Sequence, residues 1–469
     1  MNYELSNDRF FDPNPAVKKI AQELYSMVKD LPIISPHGHV DPALFAENAP
    51  FPNPAELFII PDHYVFRMLH SQGIPLESLG IHSLNGTAYE KDPRRIWELF
   101  AENIHLFRGT PSGVWFEYEL SEVLGIKERL DARSAKRIYD NISEKLSQPQ
   151  FRPRALFERF KIEVLATTDA VNDPLEAHQS IRDSGWNGRV IPTFRPDSVT
   201  DLTNKNWKQH LELLEVWLKN EITTFTHFIT ALEERRTYFR SFGAAATDHG
   251  AHSPLTLELT GSQIEEIFQR ARKGTATPED AKLFSAHMLM EMARMSVDDG
   301  MVMQLHAGSF RNHDQRLFDR FGPDKGSDIP HRMEYTNNLS PLLNKYGSEK
   351  NFTFIVFTLD ESTYARELAP LAGHYPSMKL GPAWWFHDSI EGMTRYRQTV
   401  METAGLYNTA GFNDDTRAFL SIPARHDLSR RMDCNYAAGL VARSIIRMED
   451  AAEMVVQMTN GLVKKAYKL

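Results

Sequence analysis

The sequence contains a single cysteine, Cys434, among its 469 residues. One thiol cannot form a disulfide within the chain, so nothing in the sequence indicates an oxidising compartment. It also has no stretch of about 18 apolar residues, so it predicts no transmembrane helix and no membrane partner. The first residues lack a basic segment followed by an apolar run, so no signal peptide is predicted. These absences together predict a cytoplasmic protein.

Basic residues are fewer than acidic residues in this sequence. The chain has 53 Lys and Arg residues against 62 Asp and Glu residues, which gives a formal net charge of −9. Proteins that bind nucleic acids present a basic surface to the phosphate backbone, so this balance predicts no nucleic-acid partner. No Gly-x-Gly-x-x-Gly motif follows the first predicted strand, so dinucleotide binding is not predicted either.

Short apolar segments alternate with helical segments along most of the chain. The first is Ile33 to Pro36, after an amphipathic helix for which Asn14 is the predicted N-cap. Seven further candidate strands follow at residues 164–168, 189–194, 242–246, 301–305, 352–358, 378–381 and 408–413. This alternation favours a parallel sheet covered on both faces, and eight units favour a (β/α)8 TIM barrel. A doubly wound open sheet is the alternative.

The segment between the first two strands has a different character. It begins with several prolines and then becomes helical and aromatic. We therefore predict that residues 41–161 form a mainly helical insertion subdomain over the barrel mouth. Residues 1–40 would then form the N-terminal helix and the first barrel strand. Residues 162–469 would form the remainder of the barrel and the C-terminal helices.

Two histidines, His37 and His39, follow the first predicted strand with one residue between them. Side chains two apart point to the same face of a strand, so both imidazoles would face the barrel mouth, where this fold places active sites. Neutral imidazole is a common ligand for zinc and other transition metals. Asp415, after the last strand, is the natural third ligand because the first and last strands of a barrel are neighbours. A chance histidine pair is the alternative, since the chain has 18 histidines.

Other polar and aromatic residues follow later predicted strands. His306, after the fifth, would be a fourth metal ligand, a substrate contact or a partner in a core hydrogen bond. Arg195 and Arg417 are candidates for holding a substrate carboxylate, because a guanidinium binds it through two hydrogen bonds; surface ion pairs are the alternative. Trp384 and Trp385 would either wall the pocket or pack in the core.

The insertion contributes one further motif, Asp62-His63-Tyr64. If the insertion folds over the mouth, His63 and Tyr64 would supply an acid–base pair or hydrogen-bond donors. A loop turn with an aromatic plug is the alternative interpretation of these residues.

The order of these motifs resembles that of the uronate isomerase (glucuronate isomerase) family of the amidohydrolase superfamily. The matching segments cover nearly the whole chain and are Pro36–His39, Asp62–Arg67, Ala166–Asp169, Phe194–Asp197, Thr247–His249, His306–Asn312, Gly381–Phe386 and Asp415–Ser421. The resemblance implies a distorted (β/α)8 barrel and one divalent metal ion, for which we expect zinc. It implies a small-molecule uronate substrate and the interconversion of D-glucuronate with D-fructuronate, and of D-galacturonate with D-tagaturonate, through an enediol intermediate.

The family roles map onto this chain residue by residue. The implied metal ligands are His37, His39 and Asp415. The implied catalytic residues are Asp415, His63, Tyr64 and Arg417, and the implied substrate-binding residues are Arg195, His306, Trp384, Trp385, Asp248 and Arg311.

Two departures from the wider superfamily bear on the reaction. Hydrolases with two metals usually take a bridging lysine carbamate from the fourth strand, but Thr247-Asp248-His249 contains no lysine. A histidine is also missing from Thr358-Leu359-Asp360, after the sixth strand. Both departures favour the isomerase. A metal-dependent hydrolase of the same superfamily and a non-catalytic sugar-acid binding protein are the alternatives, and a homo-oligomer is possible for any of them.

Overall fold

The computed structural model describes residues 4–469, and most of its strands are short and parallel. The strands are β1 (Ile33–Ser35), β2 (Ile162–Ala166), β3 (Asp169–Ala170), β4 (Val190–Ile191), β5 (Phe194–Arg195), β6 (Ala246–Ala251), β7 (Val302–Ala307), β8 (Ser309–Phe310), β9 (Ile329–Pro330), β10 (Phe354–Thr358) and β11 (Met378–Leu380). Only the pairing of β8 with β9 is antiparallel among these ladders.

The strands pair in the order in which they occur in the chain. β1 pairs with β2, and β2 with β4. The second sheet runs from β3 through β5, β6, β7 and β10 to β11. β3 and β5 continue β2 and β4 beyond short breaks, so the two sheets form one succession of parallel strands. Parallel pairing in chain order, with helices between the strands, is the arrangement of an α/β barrel, here distorted by the breaks.

Helices occupy the connections. They are α1 (Pro15–Val28), α2 (Ala43–Glu47), α3 (Pro54–Phe58), α4 (His63–His70), α5 (Pro93–Glu102), α6 (Pro111–Tyr118), α7 (Ala135–Leu146), α8 (Pro153–Arg159), α9 (Glu176–Asp183), α10 (Asp197–Thr200), α11 (Trp207–Leu218), α12 (Phe225–Ser241), α13 (Gly261–Lys273), α14 (Pro278–Asp299), α15 (Gln315–Phe321), α16 (Ser340–Tyr346), α17 (Ala369–Ala372), α18 (Ile390–Ala404), α19 (Ile422–Ala442), α20 (Met448–Val456) and α21 (Leu462–Tyr467). Among residues 4–469, none of these helices combines the length and the apolar character that a bilayer crossing requires.

Two predicted strands are wrong over most of their length, and a third, at 189–194, is divided between β4 and β5. The run at 242–246 is predicted from its small apolar residues, but α12 ends at Ser241 and the next two residues form a turn in which Gly243 has a φ of +91°. The strand β6 begins only at Ala246, where pairing with Val302 starts. The segment 408–413 is reduced to one parallel bridge between Thr409 and Leu380, because Gly411, at a φ of +81°, leaves the extended conformation.

The two ends of this succession meet beyond the strands. No ladder joins the first and last segments within residues 4–469, but the His39 amide donates a 2.9 Å hydrogen bond to the Thr416 carbonyl. The segment after β1 and the segment after residue 413 are therefore held side by side, as the prediction of neighbouring first and last strands requires.

The segment 41–161 is helical in the structure, and no strand is assigned to it. One apolar cluster joins its side chains, among them Phe45, Trp97 and Phe100, to Ile33 and Leu165 of β1 and β2. Burial of such side chains against the sheet provides the hydrophobic stabilisation that keeps the segment on the barrel. Its status as a separate subdomain stays a prediction.

Candidate active site

His37, His39 and Asp415 converge after β1 and after the last strand segment. The Nε2 atom of His37 lies 3.5 Å from Asp415 Oδ1, and that of His39 lies 3.1 Å from the same oxygen. Gly38 lets the two segments approach, because a Cβ there would lie 3.3 Å from the Thr416 carbonyl oxygen. The structure thus brings together the three residues predicted as metal ligands, whose role as ligands stays a prediction.

The donor set suits a divalent transition metal. Two imidazole nitrogens and one carboxylate oxygen are ligands that zinc and its neighbours accept at about 2 Å each. The three ligand atoms lie within 4.8 Å of one another, close enough to hold one ion after small shifts. Burial lowers the pKa of His37 to about 4, although Asp415 opposes this, so the imidazole is in the neutral form that binds metals.

Asp248 and His306 lie next to His37 and form a second group of possible ligands. His306 Nδ1 donates a 2.6 Å hydrogen bond to Asp248 Oδ1, so this carboxylate is engaged by the imidazole. His306 Nε2 is buried and has no hydrogen-bond partner among the described residues. That nitrogen fits both a fourth ligand and a substrate contact, the two functional roles predicted for it.

A cavity of about 530 Å³ lies beside these groups. All the predicted site residues line it except His37 and Asp248, which are buried. The lining ones are His39, His63, Tyr64, Arg195, His306, Arg311, Trp384, Trp385, Asp415 and Arg417. A cavity of this size is ordinary for a small-molecule site.

The arginines of the cavity differ in how far carboxylates neutralise them. Arg195 contacts two carboxylates: its Nε lies 2.8 Å from Asp197 Oδ2 and its Nη1 lies 3.3 Å from Asp248 Oδ2. Among residues 4–469, the only carboxylate paired with Arg417 is that of Asp324, whose Oδ2 lies 4.0 Å from Arg417 Nη2. Arg417 is therefore the guanidinium with more capacity left for a bound anion.

Arg311 is paired as well. Its Nη1 lies 2.8 Å from Asp328 Oδ2, and its guanidinium lies 5.1 Å from the centroid of the Trp385 ring. The predicted substrate-binding residues Arg311 and Trp385 thus lie together at the edge of the cavity.

The Asp62-His63-Tyr64 motif reaches the cavity because it begins α4. Asp62 is the N-cap residue, and its side chain accepts a 2.8 Å hydrogen bond from the Tyr64 amide. Burial lowers the pKa of His63 to about 3, and neither ring nitrogen has a hydrogen-bond partner within residues 4–469. Burial also raises the pKa of Tyr64. At neutral pH the motif presents an uncharged imidazole and a protonated phenol.

Trp384 contacts Asp415 directly. Its indole N–H donates a hydrogen bond to Asp415 Oδ2, while Oδ1 of the same carboxylate faces His37 and His39. Burial raises the pKa of Asp415, but His37 and His39 outweigh burial, so the pKa lies below its ordinary value. The carboxylate is ionised, and its two oxygens have different partners.

Several acidic residues of the cavity had no role predicted from the sequence. Asp62, Asp197, Asp324 and Asp328 all line it. The turn-forming residues at 322–326, Gly-Pro-Asp-Lys-Gly, predict a loop, but they do not indicate where the loop lies. Asp197 belongs to the segment Phe194–Asp197 that carries the family resemblance, but only the structure shows its ion pair with Arg195.

The fold and the site define a class: an α/β barrel of amidohydrolase-like fold, with candidate metal ligands at the carboxyl ends of its strands and a polar cavity beside them. The family model described as glucuronate isomerase matches residues 7–467. The chain belongs to the glucuronate isomerase family.

Individual relatives agree with this assignment. The uronate isomerase of Nostoc punctiforme is 53% identical over 466 residues, covering 99% of this chain and 98% of that protein. The uronate isomerase of Mesorhizobium japonicum is 53% identical over 462 residues, covering 98% of each chain. Among solved structures, glucuronate isomerase from Caulobacter crescentus has a TM-score of 0.98 and 50% identity, covering 100% of this chain and 98% of that chain. Uronate isomerase from Thermotoga maritima has a TM-score of 0.92 and 26% identity, covering 99% of each chain.

Proposed function

We propose that the chain is an aldose–ketose isomerase that interconverts D-glucuronate with D-fructuronate, and D-galacturonate with D-tagaturonate. The observation that supports this best is the meeting of His37, His39 and Asp415 beside a cavity lined by arginines, in a chain of the glucuronate isomerase family. The substrate is a small sugar acid, and the cavity has the positive groups that its carboxylate needs.

The reaction moves a proton between C2 and C1 of the open-chain sugar through an enediol. It therefore needs a base close to a weakly acidic C–H bond and a way to stabilise negative charge on the adjacent oxygen. One divalent ion, which we propose to be zinc, would be held by His37, His39 and Asp415 and would act as a Lewis acid when bound. The remaining steps belong to the side chains of the cavity.

Asp415 is the proposed base. A base must come within about 3 Å of the proton that it removes, and the carboxylate of Asp415 lines the cavity. Its Oδ2 atom faces the Trp384 indole rather than the imidazoles, so one oxygen remains for proton transfer. Trp384 would orient this oxygen. A metal ion held by Asp415 would lower the basicity of this carboxylate and so limit its strength as a base.

The other cavity residues bind and orient the substrate. His63 and Tyr64, both uncharged at neutral pH, would move protons at the hydroxyl oxygens. Of Arg195 and Arg417, one would hold the C6 carboxylate and the other a hydroxyl group. His306 would contact the substrate or the ion through its free Nε2. These roles extend the family resemblance to individual side chains.

A direct assay separates this function from the alternatives. The zinc-loaded protein is incubated with D-glucuronate and followed by NMR. Ketose signals are expected. Tight binding without product would support a sugar-acid binding protein, and ring opening of an added lactone without ketose formation would support a hydrolase. Removal of the metal with a chelator should abolish turnover, and added zinc should restore it, with metal content followed by elemental analysis.

Asp415→Asn tests the base. Turnover should fall by about 10²-fold or more, the usual scale for loss of a general base, while the circular dichroism spectrum stays unchanged. Asp298→Asn, at an exposed position of α14, is the control and should retain activity. Near-normal turnover of Asp415→Asn would remove this residue from the chemistry. The cytoplasmic location and the homo-oligomer stay predictions.

A further inference from the structure

Behind the cavity lies a buried pair of side chains, Asp414 and His426, to which the proposed reaction assigns no role. His426 belongs to α19, and its Nε2 donates a 3.0 Å hydrogen bond to Asp414 Oδ2. Side-chain exposure is 6% for His426 and 0% for Asp414, so water does not compete for this bond. The imidazole also packs edge-on against Phe412, with 5.0 Å between ring centroids.

Asp414 immediately precedes the proposed base, and the backbone between them is unusual. Asp415 has a φ of +35°, in the left-handed region that residues with a side chain adopt uncommonly and at a cost in conformational energy. On the far side of this residue, the Thr416 carbonyl accepts a hydrogen bond from the His39 amide, and Thr416 Oγ1 accepts one from the Ala418 amide. The turn is thus held from the side of Thr416 by bonds to its neighbours.

On the near side, the turn is held through Asp414. Its Oδ1 is buried without a hydrogen-bond partner among the described residues, so the bond from His426 to Oδ2 is what orients this carboxylate. Without the imidazole donor, a buried carboxylate would lose this hydrogen bond, and the local backbone would shift to reach water or another donor. Because Asp415 follows Asp414 directly, such a shift would change the distances from Asp415 Oδ1 to His37 and His39, now 3.5 Å and 3.1 Å.

We propose that His426 is a positioning residue, which acts through Asp414 to hold the strained turn that directs Asp415 Oδ1 toward His37 and His39. This inference rests on the proposed function, because it assumes that these three residues hold a metal ion. It predicts that the metal affinity depends on a hydrogen-bond donor at residue 426, which touches neither the cavity nor the ligands. Partners of this outer kind typically change metal affinity by about 10- to 100-fold.

The test compares three variants of the full-length protein at this position. His426→Gln keeps a donor at nearly the reach of Nε2, His426→Asn keeps a donor that is too short, and His426→Leu removes it. The measurements are the Kd for zinc against a competing chelator, the visible absorption spectrum of the cobalt-loaded protein, and the urea unfolding midpoint. His426→Leu and His426→Asn should weaken zinc binding by at least about 10-fold and change the cobalt spectrum. His426→Gln should retain the zinc affinity and the cobalt spectrum of the parent protein.

A matched control separates positioning from stability. His287, buried on α14, accepts a 3.1 Å hydrogen bond from the Leu259 amide and belongs to neither group of possible ligands. His287→Leu should lower the unfolding midpoint without changing the zinc Kd or the cobalt spectrum. If His426→Leu does not fold, the contrast between His426→Gln and His426→Asn decides.

The inference is overturned if a folded His426→Leu, or His426→Asn, binds zinc as the parent does and gives the same cobalt spectrum. It is also overturned if His287→Leu changes the cobalt spectrum equally. Failure of the proposed function is distinguishable, because the parent protein itself would then bind no zinc or form no ketose.

Discussion

Arg195→Met is the substitution whose consequences the structure defines most fully. The guanidinium lies between two carboxylates, Asp197 at 2.8 Å and Asp248 at 3.3 Å. Burial raises the pKa of Asp248, but Arg195 and His306 outweigh burial and hold this carboxyl ionised. Methionine has a similar length and no charge, so the substitution leaves Asp248 charged, buried and without its main counter-charge.

The magnitude follows from the burial of the partners. Removal of one member of a fully buried ion pair costs about 3–5 kcal/mol, whereas exposed pairs contribute about 0–1 kcal/mol. Asp248 has 2% of its side chain exposed, but Arg195 has 27% exposed toward the cavity. Because water reaches the arginine, we expect a loss near the lower end of the buried range, about 3 kcal/mol.

Urea unfolding followed by tryptophan fluorescence measures this loss. The control is Arg94→Met, whose partner Asp140 is exposed; this variant should lose no more than about 1 kcal/mol. In the double variant with Asp248→Asn, the unpaired charge is absent, and part of the stability should return. Arg195→Met unfolding within about 1 kcal/mol of the parent would refute the argument.

The same variant tests substrate recognition. Loss of Arg195 should weaken uronate binding more than binding of a neutral aldose. If the preference for uronates over neutral aldoses stays as strong as in the parent, Arg195 does not hold the substrate carboxylate.

Three further predictions concern separate parts of the chain. Trp384→Phe removes the donor to Asp415 Oδ2, so kcat should fall by about 10- to 100-fold while zinc content is unchanged; an unaltered kcat would exclude this orienting role. The hydroxyl of Thr277, the N-cap residue of α14, accepts a 3.1 Å hydrogen bond from the Asp280 amide. Thr277→Ala removes this bond, so urea unfolding should show that the free energy of unfolding falls by about 1 kcal/mol. Burial raises the pKa of Asp169 to about 7, so the folded state keeps this proton when the unfolded state has lost it. The stabilisation from this proton is fully present below about pH 4 and is lost as the pH rises through 7. From pH 5 to 7, the free energy of unfolding should therefore fall by about 2–3 kcal/mol more in the parent than in Asp169→Asn. An equal fall in the two proteins would contradict the burial argument.

Local sequence patterns predicted most of the elements near the site. Asn14 caps α1 as predicted, with its side chain accepting from the Ala16 amide, because capping depends on residues only two or three positions apart. The strand predicted at 242–246 is wrong over residues 242–245, because the prediction used only local composition. Their composition is compatible with a strand, and only the extent of α12 and the pairing of β6 with β7 determined where the strand begins.

The sequence predicted most of the residues that meet at the candidate site, but not the distances and pairings between them. The His37-x-His39 spacing and the position of Asp415 after the last strand indicated which residues would meet. The sequence did not predict that Asp324 and Asp328 line the cavity, because turn-forming residues indicate a loop but not its position in the fold. Their distances to the arginines depend on the path of a loop that no local pattern specifies.

The sequence by itself determined most of the alternation of strands and helices, the paired imidazoles after β1 and the family to which the chain belongs, because these depend on periodicity, capping and the order of short motifs. Only the tertiary structure decided that Arg195 is shared between two carboxylates, that Asp415 adopts a left-handed backbone conformation, and that His426 of α19 forms a hydrogen bond with Asp414. Those contacts join residues far apart in the chain, and their energies depend on burial and distance, which arise only when the whole chain is folded.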